Sequence, residues 1–263
     1  MQPILFTIGA VAVKSYAVVV GLAILIPILL LLFYEIPLQR RKNNPYLTDS
    51  LISYTPEILI TTVISIVVGA RLGFVLFNWE LYQDDLFRIL RFWRGGFVFH
   101  GGLVAALLGS SVHALIRKVP PLNLLDLAIP YVALGYTIGR FGCFLNGCCY
   151  GHVTDVPWGM VFPAVDALTR HPTQLYAVGA GFVIFVVLLS LKRLPIFTHT
   201  NGTLVAIFLI LHSIYRFTIE FYRVTEPVFS FLTWPQLIAS ILFFVGLILF
   251  YFLYAKALND QRR

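Results

Sequence analysis

IPYVALGYTIGRFGCFLNGCCYG, residues 129–151, is an apolar run that gives way to a glycine-rich polar stretch. Its second half, residues 139–151, carries Gly139, Gly142, Gly147 and Gly151, the cation Arg140, and every cysteine in the chain: Cys143, Cys148 and Cys149. Glycine at this density lets a backbone turn sharply or approach a neighbour closely. A guanidinium at the edge of an apolar span is unfavourable unless it meets an anion or carries function. The stretch therefore predicts a polar site where a helix, ending at Ile138, meets irregular backbone at the membrane.

Working outward, the rest of the chain supports that setting. Of 263 residues, 59% are hydrophobic and 12% charged, with mean hydropathy +0.86. Ordinary globular domains carry about 25% charged residues. The apolar runs are long and continuous rather than alternating, so helices are the spanning form. The net charge of +7 does not indicate nucleic acid. No basic run exceeds Arg40-Arg41-Lys42, which suits loop anchoring and anionic lipid.

Seven spans are expected: Tyr16 to Tyr34, Ile58 to Phe77, Phe97 to Ile116, a short Leu124 to Ile138, Leu175 to Leu191, Thr203 to Phe221, and Pro235 to Tyr254. The first is flanked by Arg40-Arg41-Lys42 and has no small-residue cleavage site, so it reads as a retained helix. The whole of 1–263 reads as a single integral membrane domain, all-α, with an interfacial arm at Trp79 to Trp93 and a folded loop from Arg140 to Gln174. Ten lysines and arginines fall in the segments after odd-numbered spans and seven in the others. Setting aside Arg140 as functional and Arg88, Arg91 and Arg94 as part of the arm, the bias places the N-terminus outside and the C-terminus in the cytoplasm. The Phe99-His100-Gly101-Gly102 stretch, the Arg140 loop, residues 171–176 and the end of span six then share the outer level.

The residues that could carry chemistry are few. His100 is a candidate general base near neutral pH, or a histidine hydrogen-bonded at a helix start. Arg140 and Arg216 suit bidentate recognition of phosphate oxygens. Alternatively, Arg216 pairs with Glu220, one helical turn on, and Arg140 snorkels to the interface. Asn146 could hold a phosphate or a glycerol hydroxyl, or simply turn its loop. Arg71 and Asp126 are structural or site-supporting. Cys-x4-Cys-Cys has no partner ligands at the usual zinc spacing and no Cys-His-Asn arrangement, so small packed residues are favoured over a metal centre or a nucleophile. There is no Gly-x-Ser-x-Gly elbow, P-loop or HExxH motif. No metal and no cofactor are expected.

Taken together, the tyrosine of Ser15-Tyr16, GARLGFVLFN (69–78), GGFVFHGG (95–102), Asp126 to Pro130, GRFGCFLNGCCYG (139–151), PWGMVFP (157–163), HPTQLY (171–176) and YRFTIEFYR (215–223) resemble the prolipoprotein diacylglyceryl transferase family of bacterial inner membranes. The resemblance runs over nearly the full length. It implies transfer of the diacylglyceryl group of phosphatidylglycerol to the lipobox cysteine thiol of a prolipoprotein. A thioether forms and glycerol phosphate leaves. It implies a multi-pass inner-membrane enzyme with a periplasm-facing loop region. His100, Arg140, Asn146, Gly151, Arg216, Glu220 and Tyr16 match family functional positions. His100, Arg140 and Arg216 are the expected catalytic set, and Arg140, Asn146, Gly151, Arg216, Glu220 and Tyr16 the expected substrate contacts. Against the family's commonest pattern, Cys143 stands for Asn, Cys148 for an acidic residue, Ala177 for Glu and His212 for Tyr. The competing readings are a transporter or channel for an anionic lipid or metabolite, and a phosphatidylglycerol-dependent transferase with another acceptor.

Overall fold

The computed structural model describes residues 4–8, 11–41, 49–92, 95–194, 202–228 and 232–261. Among them, seven helices are long and apolar enough to cross a membrane. They are α1 (Ser15–Arg41), α2 (Asp49–Phe77), α3 (Phe99–Ile116), α4 (Pro121–Asn146), α5 (Thr173–Leu191), α6 (Thr203–Glu220) and α7 (Trp234–Gln261). The expected all-α, seven-span architecture is present. Several spans are longer than expected: α1 continues past Tyr34 to Arg41, α2 begins at Asp49 rather than Ile58, α7 continues past Tyr254 to Gln261, and α4 does not stop at Ile138 but continues to Asn146. The sequence reading also had no counterpart for an antiparallel hairpin, β1 (Ile4–Ile8) with β2 (Val11–Lys14), that leads directly into α1.

The chain divides into two compact units, Met1–Tyr46 with Leu125–Arg263, and Leu47–Leu124. In the second unit α2 and α3 form a close antiparallel pair. A Cβ on Gly101 would come within 2.5 Å of the Gly69 carbonyl oxygen and 3.1 Å of Gly73 Cα. Only glycine lets the two backbones meet there, the close approach that small residues permit between membrane helices. Between them, the expected arm folds as two short 3₁₀ turns, Trp79–Leu81 and Leu86–Leu90. Arg71, 3% exposed, fastens it. Its guanidinium donates to the carbonyls of Ile89 (2.9 Å), Gly95 (2.5 Å), Gly96 (3.1 Å) and Arg88 (2.8 Å), and lies 5.4 Å from the centre of the Tyr82 ring. Arg71 is thereby a structural residue.

In the first unit, Ile129, Ala133, Ile184, Leu188 and Leu204 form a core shared by α4, α5 and α6. α1 contains Pro27, and its regular winding gives way to a π turn at Leu31–Glu35. Proline removes one backbone donor, and a π turn inserts an extra residue into the winding. Glu35 at the end of this turn is 1% exposed. Lys192 Nζ lies 2.8 Å from one of its oxygens, and Tyr131 and Gln39 each donate to it at 2.7 Å. Losing one member of such a buried pair costs about 3–5 kcal/mol. Asp126 accepts from the backbone N–H groups of Gly202 (2.6 Å) and Val205 (2.9 Å). It thus satisfies free donors at the positive start of α6 and is structural.

Candidate functional site

The candidate site sits at one end of the first unit, where α1 and α5 begin and α4 and α6 end. Arg140 is in the penultimate turn of α4, Arg216 and Glu220 are in the last turns of α6, and Tyr16 is in the first turn of α1. Gly142 of the GRFG segment serves close packing rather than a turn. A Cβ on Gly142 would come 3.1 Å from Val19 Cγ1 of α1 and 3.6 Å from Tyr16 Cδ2. The expected break at Ile138 is therefore displaced by two helical turns, and irregular backbone begins only at Gly147.

There α4 closes in a Schellman motif. Gly147, with φ of 73°, donates to the Phe144 carbonyl at 3.1 Å, and Cys148 N–H donates to the Cys143 carbonyl at 3.2 Å. This pairing satisfies carbonyls that a helix end otherwise leaves free. Cys149 follows at φ 65°, a left-handed conformation unusual for a side chain with a Cβ. Two side chains from the first turn of α5 hold it: Thr173 Oγ1 donates to the Cys149 carbonyl at 2.6 Å, and Gln174 Nε2 to the Cys148 carbonyl at 2.5 Å. The HPTQLY stretch thus begins a helix and clamps the glycine-rich turn.

Gly151 joins three segments. Its N–H donates to the His171 carbonyl at 2.9 Å, its own carbonyl accepts from Arg170 at 3.4 Å, and it bridges Arg223 in antiparallel fashion. A Cβ there would overlap the Tyr222 carbonyl oxygen, so glycine is required by packing. The loop beyond is folded, as expected. β3 (Met160–Val161) pairs with β4 (Thr169–Arg170), and Phe162 is fully buried beneath Tyr150. Arg170 binds Asp166 through two nitrogens, an interaction that holds the Asp166 carboxyl below the usual range.

The two arginines differ in their surroundings. Arg216 forms an ion pair with Glu220, whose side chain is fully buried. Glu220 also accepts from Thr233 Oγ1 at 3.2 Å and lies 4.0 Å from Arg223 Nε. Arg140 has no carboxylate partner among the described residues. Instead it lies 5.0 Å over the Tyr136 ring, and the Tyr136 hydroxyl donates to that of Tyr215 at 3.1 Å. Both guanidinium groups are close enough to His212 and Tyr215 to act on them electrostatically. Asn146 is exposed at the helix end, and Tyr16 is 42% exposed. Tyr136 and Tyr215 were not singled out as site residues in the sequence, and His212 only as a departure from the family's commonest pattern. The available signal was the one-turn spacing of Tyr136 before Arg140 and the adjacency of Tyr215 to Arg216.

His100 belongs to the other unit. It lies in the first turn of α3, exposed, with its ring edge-on to Phe99 at 5.7 Å. Among the described residues it makes no hydrogen bond, so the bland reading of a histidine tied down at a helix start does not describe it.

The first unit's arrangement offers a cation free of acidic neighbours beside a second cation fixed by a buried carboxylate. Such a pair can receive an anionic group at membrane level. Comparison with known proteins bears on which one. The family described as prolipoprotein diacylglyceryl transferase matches residues 3–252. A relative from Wolbachia pipientis subsp. Culex pipiens, named phosphatidylglycerol–prolipoprotein diacylglyceryl transferase, is 33% identical over 98% of this chain and 96% of its own. A relative of that name from Ehrlichia canis is 37% identical over 76% of this chain and 78% of its own. Another from Geobacter sulfurreducens is 34% identical over 73% and 75%.

Proposed function

The chain belongs to the prolipoprotein diacylglyceryl transferase family, and from that premise we propose that it moves the diacylglyceryl group of phosphatidylglycerol onto a prolipoprotein. It is an enzyme of bacterial lipoprotein maturation, embedded in the membrane by seven spans. The observation that carries the reading is Arg140, a cation without a carboxylate partner, beside the Arg216–Glu220 pair.

The proposed acceptor is the lipobox cysteine thiol. Its sulfur attacks the glyceryl carbon bonded to phosphate, a C–S bond forms, the C–O bond breaks, and the electron pair leaves on glycerol phosphate. The proton of the thiol must go to a base. Arg140 is assigned the phosphate and its growing negative charge, since donors aimed at developing charge contribute most when they are held in advance. Arg216, oriented by Glu220, is assigned the second phosphate contact. Asn146 and Tyr16, both exposed, are assigned to the lipid head group, and Gly151 holds the loop around it. His100 is assigned the thiol proton, an assignment that rests on the sequence resemblance and on its exposed, unbonded ring. The N-terminus is assigned to the outside and the C-terminus to the cytoplasm, with residues 1–263 acting as one membrane domain. Reporter fusions after Lys118 and at the C-terminus should be active only in the cytoplasm.

A transfer assay tests the activity. Phosphatidylglycerol labelled in its diacylglyceryl part is supplied with a lipobox peptide or its Cys-to-Ser counterpart. Label should pass only to the cysteine peptide. Transfer to both, or to neither by folded protein, would overturn the reading. His100→Ala should lower the rate by about 100-fold or more, the range for a general base, with unchanged thermal unfolding. Wild-type-like transfer by that variant would remove His100 from the mechanism.

A further inference from the structure

The three cysteines, which the transfer chemistry leaves without a role, converge in space. Cys143 lies in the last turns of α4, and Cys148 and Cys149 lie beyond its closing turn. Their sulfur atoms all fall within 4.8 Å of one another, and those of Cys148 and Cys149 are 3.5 Å apart. Metal–thiolate bonds of about 2.3 Å around one coplanar ion would set sulfurs about 4 Å apart. The observed triangle is of that size.

We propose that Cys143, Cys148 and Cys149 form a trigonal thiolate site for Cu(I). The spacing arises from backbone held by other means. The Schellman turn brings Cys148 back toward Cys143, and Thr173 and Gln174 fix the left-handed Cys149. That strain is concentrated at the residue which must turn its sulfur inward. No fourth histidine, cysteine or carboxylate joins the group among the described residues. Structural zinc almost always takes four ligands, whereas thiolates without a harder partner suit Cu(I). On binding, three S–H protons go to solvent and three S–Cu bonds form, leaving a site with two net negative charges.

The test uses reduced full-length protein in detergent, without oxygen, titrated with Cu(I) against a chromophoric Cu(I) chelator. One Cu(I) per chain should be retained, with an ultraviolet thiolate-to-Cu(I) band. Cys148→Ser and Cys143→Ser should each lose the band. Cys149→Gly, which the left-handed backbone favours, removes a ligand while preserving the turn, and should lose it with unchanged thermal unfolding of the metal-free protein. No uptake in competition, uptake undiminished in the triple serine variant, tighter retention of Zn²⁺ than of Cu(I), or a Cys148–Cys149 disulfide that after reduction still takes up no Cu(I) would each overturn the proposal. The readout is independent of lipid transfer, so it stands or falls separately from the enzymatic reading.

Discussion

Arg71 and Arg140 are both arginines within membrane-spanning helices, each flanked by glycines, and they have opposite fates. Arg71 gives its donors to the carbonyls of its own unit and lies beside Tyr82. Arg140 rests on one aromatic face and has no carboxylate partner among the described residues. An embedded charge is unfavourable in either case. One is neutralised by the fold it creates, and the other keeps capacity for something the fold does not contain. What separates a structural arginine from a binding one is how many of its five donors are already taken.

That contrast can be broken most forcefully at Arg71. Arg71→Ala strips partners from several partly buried carbonyls, each costing about 1–3 kcal/mol when left unpaired. The variant should be destabilised by more than about 3 kcal/mol, seen as a lower thermal midpoint in detergent and faster proteolysis between Trp79 and Phe92. Arg71→Lys, with a point charge in place of the fork, should recover only part of this. Equal stability for wild type and Arg71→Ala would refute the structural assignment.

Arg140→Ala should reverse the pattern. Transfer should fall about 10²–10³-fold, the loss expected on removing one donor to developing charge, while the thermal midpoint stays near wild type. A large stability loss with normal specific activity would make Arg140 a second Arg71. Intermediate behaviour is expected of the arginine that has a partner. Glu220→Gln frees Arg216 from its carboxylate, and loss of that charged hydrogen bond, worth about 1.5–3 kcal/mol, should lower transfer by roughly 10- to 100-fold. Glu220→Asp, which keeps the charge, should restore some rate, whereas a purely steric role would not respond to that substitution.

The smallest effect is expected in the loop. Asp166 is depressed below its ordinary value by Arg170, so its contribution is present above the unfolded carboxyl value and disappears as pH falls through the folded one. Protection factors between Tyr150 and Arg170, corrected for intrinsic exchange, should fall for the wild type as pH drops below about 4. Asp166→Asn should show smaller protection factors that do not change over that range.

Much of this contrast was beyond reach of the sequence. The spans were legible because hydropathy averages over many residues, and Arg216–Glu220 because one helical turn separates them. Arg71 could not be sorted from Arg140, since its partners are backbone carbonyls and any residue supplies those. The length of α4 was misjudged because Gly139 and Gly142 have the composition of a turn, while the reason for Gly142 is Val19, more than a hundred residues earlier. Gly147 does end the helix, and only its positive φ distinguishes it from the others. The cysteine triangle left no periodic signal either, because a left-handed residue sits between its last member and any regular element.

The π turn in α1 has a consequence for what the chain can tolerate. It gives one span two angular phases: the turns carrying Val19 face α4, and those carrying Glu35 and Gln39 face Lys192. Successive residues of a helix are about 100° apart. Deleting a single residue between Leu31 and Tyr34 would restore even winding and leave Glu35 facing Lys192, whereas even winding with every residue kept would swing Glu35 away by about 100° and strand both charges. The irregular turn is a phase correction that absorbs one extra residue.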